Sequence, residues 1–184
     1  MIFDGKKINL KNRMVKYMPS ILVFLIFTSS CRKVQDLPPE PRIEFRSFDI
    51  FDTLDILGNL SKGGRLKFYF EDGDGDLGLK EPTLPRADST NLFLILYKKR
   101  KGNFEPADAN DLLYPSDYRI PYMVRLGQNK ILKGTISVTF LYLFYNPSDT
   151  IKYDFYIKDR ALHESNIATT CEIVIRNNGI CNSE

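Results

Sequence analysis

The 184-residue chain has no tryptophan, one histidine (His163) and three cysteines. The missing tryptophan weakens a carbohydrate-binding reading, because sugars stack on broad aromatic faces. One histidine and scattered cysteines give no zinc-type ligand spacing, and no serine lies in the glycine pattern of a nucleophile elbow. A lone histidine in a turn is more often a capping residue than a base. No catalytic residue is assigned, and the chain is read as not an enzyme. Long apolar runs are also missing: Ile21 to Phe27 falls far short of the roughly 20 residues that cross a bilayer. Helical periodicity is nearly absent.

What is present begins with a basic segment (Lys6, Lys7, Lys11, Arg13, Lys16), the short apolar run, and then Thr28-Ser29-Ser30-Cys31. That order is a secretory signal over residues 1–30. Small residues before a cysteine resemble a bacterial lipobox, although Thr28 stands where leucine is usual. The resemblance implies diacylglycerol and acyl lipid on Cys31, and hence attachment to a membrane through a lipid anchor. An ordinary secretory cleavage site beside a cysteine is the alternative. Met14 offers a second start that leaves the same mature chain.

Removing residues 1–30 takes five of the 26 basic residues and one of the 23 acids, leaving a net charge near −1. The basic pI belongs to the targeting segment, and nucleic acid is excluded as a partner. The run Lys98-Lys99-Arg100-Lys101-Gly102 reads as a strand end and turn, with contact to anionic lipid headgroups as the alternative. Residues 31–42, with Pro38, Pro39 and Pro41, form a semi-rigid tether about 30 Å long when extended. Residues 43–184 have the length of one domain.

Period-two alternation dominates that domain. Leu66, Phe68 and Phe70 share one face, as do Ile151, Tyr153, Phe155 and Ile157. A change of parity between Phe45 and Phe48 calls for a bulge near Ser47. Further strands are expected at Asn91–Lys98, Arg119–Val124, Lys133–Tyr145 and Thr170–Arg176. Gly63-Gly64, Gly127-Gln128-Asn129 and Asn146-Pro147-Ser148-Asp149 read as turns. The expectation is an all-β fold, a single antiparallel β-sandwich of about seven strands. It resembles an immunoglobulin-like or fibronectin-III-like domain, with Asp159, Ala161 and Ser165 fitting a D-x-A-G-N-x-S turn from which Leu162 and His163 depart.

The signal, the Pro-rich tether, the Asp/Gly segment and the Asp159-to-Asn166 turn together resemble small lipoproteins of the Bacteroidetes. The resemblance implies a cell-envelope location at the outer membrane. Arg32-Lys33-Val34-Gln35-Asp36 lacks an acidic surface-export run, which favours the periplasmic face.

Chemistry concentrates in Glu71-Asp72-Gly73-Asp74-Gly75-Asp76-Leu77-Gly78. Carboxylates at alternate positions, separated by glycines, can converge on Ca²⁺, yet an EF-hand is excluded because Leu77 and Thr83 occupy its glycine and glutamate positions. A loop whose carboxylates cap its own amides is the other reading. In an immunoglobulin-like topology Asp159, Glu164 and Asn166 lie at the same end and would complete the ligand set, beside the tether. The long stretches Lys80–Thr90 and Phe104–Tyr118 are candidate partner-binding loops, and Pro106–Leu112 suits a short helical turn. Ile136, Val138, Phe140, Tyr142 and Phe144 form a core face. Leu141, Leu143 and Tyr145 form a second face, read as buried under loops, with an exposed platform as the alternative. Cys171 and Cys181 either bridge or stand as an inward and a free thiol. The functional expectation is a non-catalytic envelope module stabilised by Ca²⁺. The alternatives are an accessory subunit that binds an envelope protein or glycan and, behind it, an envelope hydrolase.

Overall fold

The computed structural model describes residues 37–81, 90–124 and 130–183. The signal segment, Cys31, the first part of the tether, the prolines at 82 and 85 and the Gly127-Gln128-Asn129 turn lie outside them. Among the described residues there are nine strands and no helix. They are β1 (Arg42–Leu54), β2 (Leu60–Asp72), β3 (Leu92–Arg100), β4 (Asn103–Pro106), β5 (Leu132–Tyr142), β6 (Thr150–Ile157), β7 (Ala168–Thr169), β8 (Ile173–Val174) and β9 (Gly179–Asn182). One antiparallel sheet runs β5-β2-β1-β9; the other runs β4-β3-β6-β7, with β8 also on β6.

The alternating apolar residues turn inward as their period requires. Leu66, Phe68, Ile151, Tyr153, Phe155 and Ile157 are fully buried, and the sheets meet through ring contacts such as Phe68 to Phe155 at 5.3 Å and Phe48 to Tyr153 at 5.9 Å. This is a β-sandwich. The expected bulge is present: Phe45 pairs with Phe68 and Ser47 with Lys67, so Arg46 is the extra residue. That insertion brings both Ile43 and Phe48 onto the buried face.

Several expectations are corrected. Gly63-Gly64 is not a turn but lies inside β2, where a side chain at position 64 would strike the rings of Phe48 and Tyr142. The turn is Asp55 to Asn59, with Asp55 accepting the amides of Leu57 and Asn59. Arg119–Val124 forms no strand. Ile120 donates to the Asn91 side chain and accepts from Leu79, and Pro121 has no amide to give. Pro106 ends the unforeseen β4, and 107–112 is a series of turns, not a helical turn. Of the strand expected at Thr170–Arg176 only Ile173–Val174 forms, as β8 on β6; on either side Thr170 donates its amide to the Tyr153 carbonyl and Ile175 to that of Asp149, outside the ladder. The chain then crosses to the other sheet, where Cys181 pairs with Phe48.

Candidate functional site

β2 delivers Asp72 to one end of the sandwich, and the glycines that follow let the chain fold back on it. Asp72 is fully buried and accepts the amides of Gly75 at 3.1 Å and Leu77 at 2.6 Å. Leu77 anchors the loop in the core. Gly75 has a φ of 69°, in the left-handed region where a side chain is disfavoured. The loop therefore carries both features read from its sequence: it caps its own amides, and it gathers carboxylates. Oxygens of Asp72, Asp74 and Asp76 lie within 4.8 Å of one another.

That proximity shapes the electrostatics. Burial, together with the hydrogen bond and charge of Asp74, pushes Asp72 up to about 6 against the pull of two amides. Burial and then the charges of Asp159 and Asp74 raise Asp76. Asp76 Oδ2 accepts the amide of Ala161 at 3.0 Å, while Asp76 Oδ1 is buried without a hydrogen-bond partner.

The β6–β7 loop packs on this segment, as expected of two loops at one end. Arg160 donates to the carbonyls of Gly78 at 2.9 Å and Leu77 at 3.4 Å. Asp159 is buried, and both its oxygens go to His163, one to the amide at 2.8 Å and one to the ring at 2.9 Å. That ring hydrogen bond raises the His163 pKa. Asp159 is thus engaged outside the expected ligand set, as are two further members. Glu164 pairs with Lys158 at 2.9 Å, and Asn166 clasps Ile43, accepting its amide at 2.9 Å and donating to its carbonyl at 3.0 Å. Asn166 thereby ties the loop to the start of β1.

The tether end lies against the same site. A side chain at Gly73 would collide with the carbonyls of Leu37 and Pro38. A cavity of about 140 Å³ beside it is lined by Leu37, Pro38, Glu40, Arg42 and Glu71. Alternating Asp and Gly signalled this approach only indirectly, through a glycine that admits a neighbouring backbone.

Cys171 and Cys181 are disulfide-bonded with Cα atoms 6.3 Å apart. Since β9 belongs to the first sheet and Cys171 precedes β8 in the second, the bond joins the two sheets. Of the second face expected along β5, Leu141 and Leu143 are exposed while Tyr145 is half-buried against the core; Phe144, expected in the core, is exposed because it follows the end of β5 at Tyr142. Sequence reading also missed Lys98, whose ammonium lies 2.7 Å from Asp111 and 3.1 Å from Asp149. Its place in a basic run concealed a half-buried ion triad.

The chain matches no family model, no curated protein and no solved structure.

Proposed function

We propose that this protein is a non-catalytic module of the bacterial cell envelope, anchored through lipid on Cys31 at the outer membrane, whose Asp72–Asp76 loop holds Ca²⁺ at the junction of tether and domain. The convergence of the Asp72, Asp74 and Asp76 carboxylates within 4.8 Å carries this reading. With Asp72 buried and Asp74 and Asp76 half-buried, their mutual repulsion is relieved by sharing a proton or a cation. The raised pKa of Asp72 describes the first state, and a hard divalent ion with oxygen ligands supplies the second. Asp76 Oδ1, buried without a partner, is available to such an ion, and Asp159 adds negative charge beside it. Glu164 and Asn166 are left out of the ligand set because their side chains are committed to Lys158 and Ile43.

The strand order supports an immunoglobulin-like or fibronectin-III-like topology: β1, β2 and β5 form one sheet and β4, β3, β6 and the β7/β8 segment the other, with β9 added at the edge of β1. In that arrangement the ion would stiffen the exit of the tether, since Leu37 and Pro38 pass directly over Gly73. The periplasmic face is the favoured side.

Thermal melting of the full chain with and without millimolar calcium tests the proposal. A ligand bound by the native state alone stabilises it, so calcium raises the Tm of the wild type and leaves Asp74→Asn unmoved. Equal melting with and without calcium removes the ion from the account.

A further inference from the structure

We infer that the end of the sandwich opposite the tether is a self-complementary dimer surface, in which the β1–β2 hairpin of one copy inserts into the cleft between the 110–113 and 143–146 loops of a second copy. β1 and β2 are each 13 residues long, whereas β3 has 9 and β6 has 8, so their hairpin projects beyond the facing sheet. Its tip is apolar and fully presented: Ile56 is 99% exposed, Leu57 83% and Leu60 87%, with Leu54 beside them.

The projection is built to hold its shape. Asp55 accepts the amides of Leu57 and Asn59 and the side-chain amide of Asn59. At the base Lys62, almost wholly buried, pairs with Asp52 at 2.7 Å and donates to Asn178 at 2.6 Å. A rigid turn that aims two adjacent aliphatic side chains at solvent incurs a hydration cost with no benefit to the monomer. It is a preorganised contact element.

The receptor lies alongside. Ser61 binds the Tyr142 carbonyl at 2.7 Å, which places the hairpin against the chain leaving β5. There an open cleft of about 620 Å³ runs between Leu112 and Leu113 on one wall and Leu143, Phe144 and Tyr145 on the other. At its base the Lys98 charge is balanced by Asp111 and Asp149. Leu112, Leu143 and Phe144 are exposed, and all the loops at this end lie within the described residues. A knob and a hole adjacent on one face are what a two-fold, isologous contact requires.

Area favours a second copy. At about 100 Å² for a fully exposed aliphatic side chain, Leu54, Ile56, Leu57 and Leu60 of the hairpin with Leu112, Leu143 and Phe144 of the cleft present roughly 500 Å² of apolar surface. That is in the upper half of the range for the largest patch on an ordinary monomer and well over half of the roughly 800 Å² per partner in a stable interface, whose polar rim supplies the remainder. A bilayer fits less well. Asp52 and Asp55 flank the tip, the exposed Arg100 and Lys101 of this end belong to the separate β3–β4 turn of the other sheet, and the tip stands about 40 Å, the length of β1, from the tether.

Sedimentation equilibrium of the full chain in density-matched non-ionic detergent, from 1 to roughly 100 μM, tests the inference. The protein mass should double across this range for the wild type and for Leu162→Asn, an exposed apolar site at the other end, while Ile56→Asp and Leu57→Asp stay monomeric with unchanged melting. A wild type that remains monomeric overturns the proposal, as does a dimer indifferent to both hairpin substitutions. Hairpin-dependent flotation of a monomer with neutral phosphatidylcholine vesicles would assign the tip to a membrane instead.

Discussion

Tyr153 shows how single residues knit the interior. Its ring is fully buried against Phe48 and Phe140, its hydroxyl lies 3.1 Å from that of Tyr142 and donates to the Leu113 carbonyl at 3.3 Å, and its amide is held by Thr170 Oγ1 at 2.9 Å. Burial raises the pKa of both tyrosines, so the pair stays neutral. Tyr153→Phe leaves the Tyr142 hydroxyl and the Leu113 carbonyl short of a partner and should cost about 1–2 kcal/mol in denaturant unfolding. Asp111 is a second test at this scale. Burial alone would raise it, but Lys98 and the Leu113 amide outweigh burial and hold it below 3.8. A carboxyl depressed by folding contributes stability above its unfolded pKa and loses it as pH falls through the folded one. Wild-type protein should therefore lose stability below about pH 4 more steeply than Asp111→Asn, in melts recorded from pH 5 to 2. Leu162 has a φ of 70°, in the position where the resembled turn carries glycine. Relief of that conformation, offset in part by added unfolded-state entropy, should make Leu162→Gly neutral or stabilising by up to about 1 kcal/mol.

At the scale of elements, three short devices fasten what the long strands leave loose. β9 is a four-residue strand with an exposed rim, held by β1 and by the bond from Cys181 to Cys171. Closing this short loop should contribute about 2–3 kcal/mol, read as the difference between wild type and Cys171→Ser/Cys181→Ser in urea. Asn166 replaces a strand pairing by bonding both backbone groups of Ile43. The contact of Gly73 with Leu37 and Pro38 closes the tether onto the domain; Gly73→Ala should free that segment and speed its limited proteolysis without unfolding the sandwich. How far these elements were legible follows from their chemistry. Strands with strict alternation, such as Leu66 to Phe70 and Ile151 to Ile157, declared their faces because half-burial imposes the period. So did the bulge, through its change of parity. Gly63-Gly64 misled because a glycine pair that admits aromatic rings has the same composition as a turn. The 119–124 segment misled because Ile120 donates its amide to the Asn91 side chain and accepts the Leu79 amide at its carbonyl, and 170–176 was legible only in part, since Ile173–Val174 alone pair with β6 as a strand.

For the whole molecule, both loops at the tethered end were placed together by topology, and the structure brings Asp76 to Ala161 and Arg160 to Gly78. Which of the oxygen-bearing side chains remain available was not legible, because Glu164 and Asn166 take partners that only the folded chain supplies. The two ends thus divide their tasks: carboxylates and tether at one, an apolar hairpin and cleft at the other. The central claim concerns the first end, and calorimetric titration of the full chain with calcium at pH 7.5 and pH 5 tests it most directly. The account predicts one site per chain at pH 7.5. At pH 5 binding should be weaker because protons compete for Asp72, whose pKa lies at about 6 without the ion, and binding should be lost in Asp74→Asn. No heat at millimolar calcium, or binding that survives Asp74→Asn unchanged, would contradict it and leave the loop as a self-capping turn.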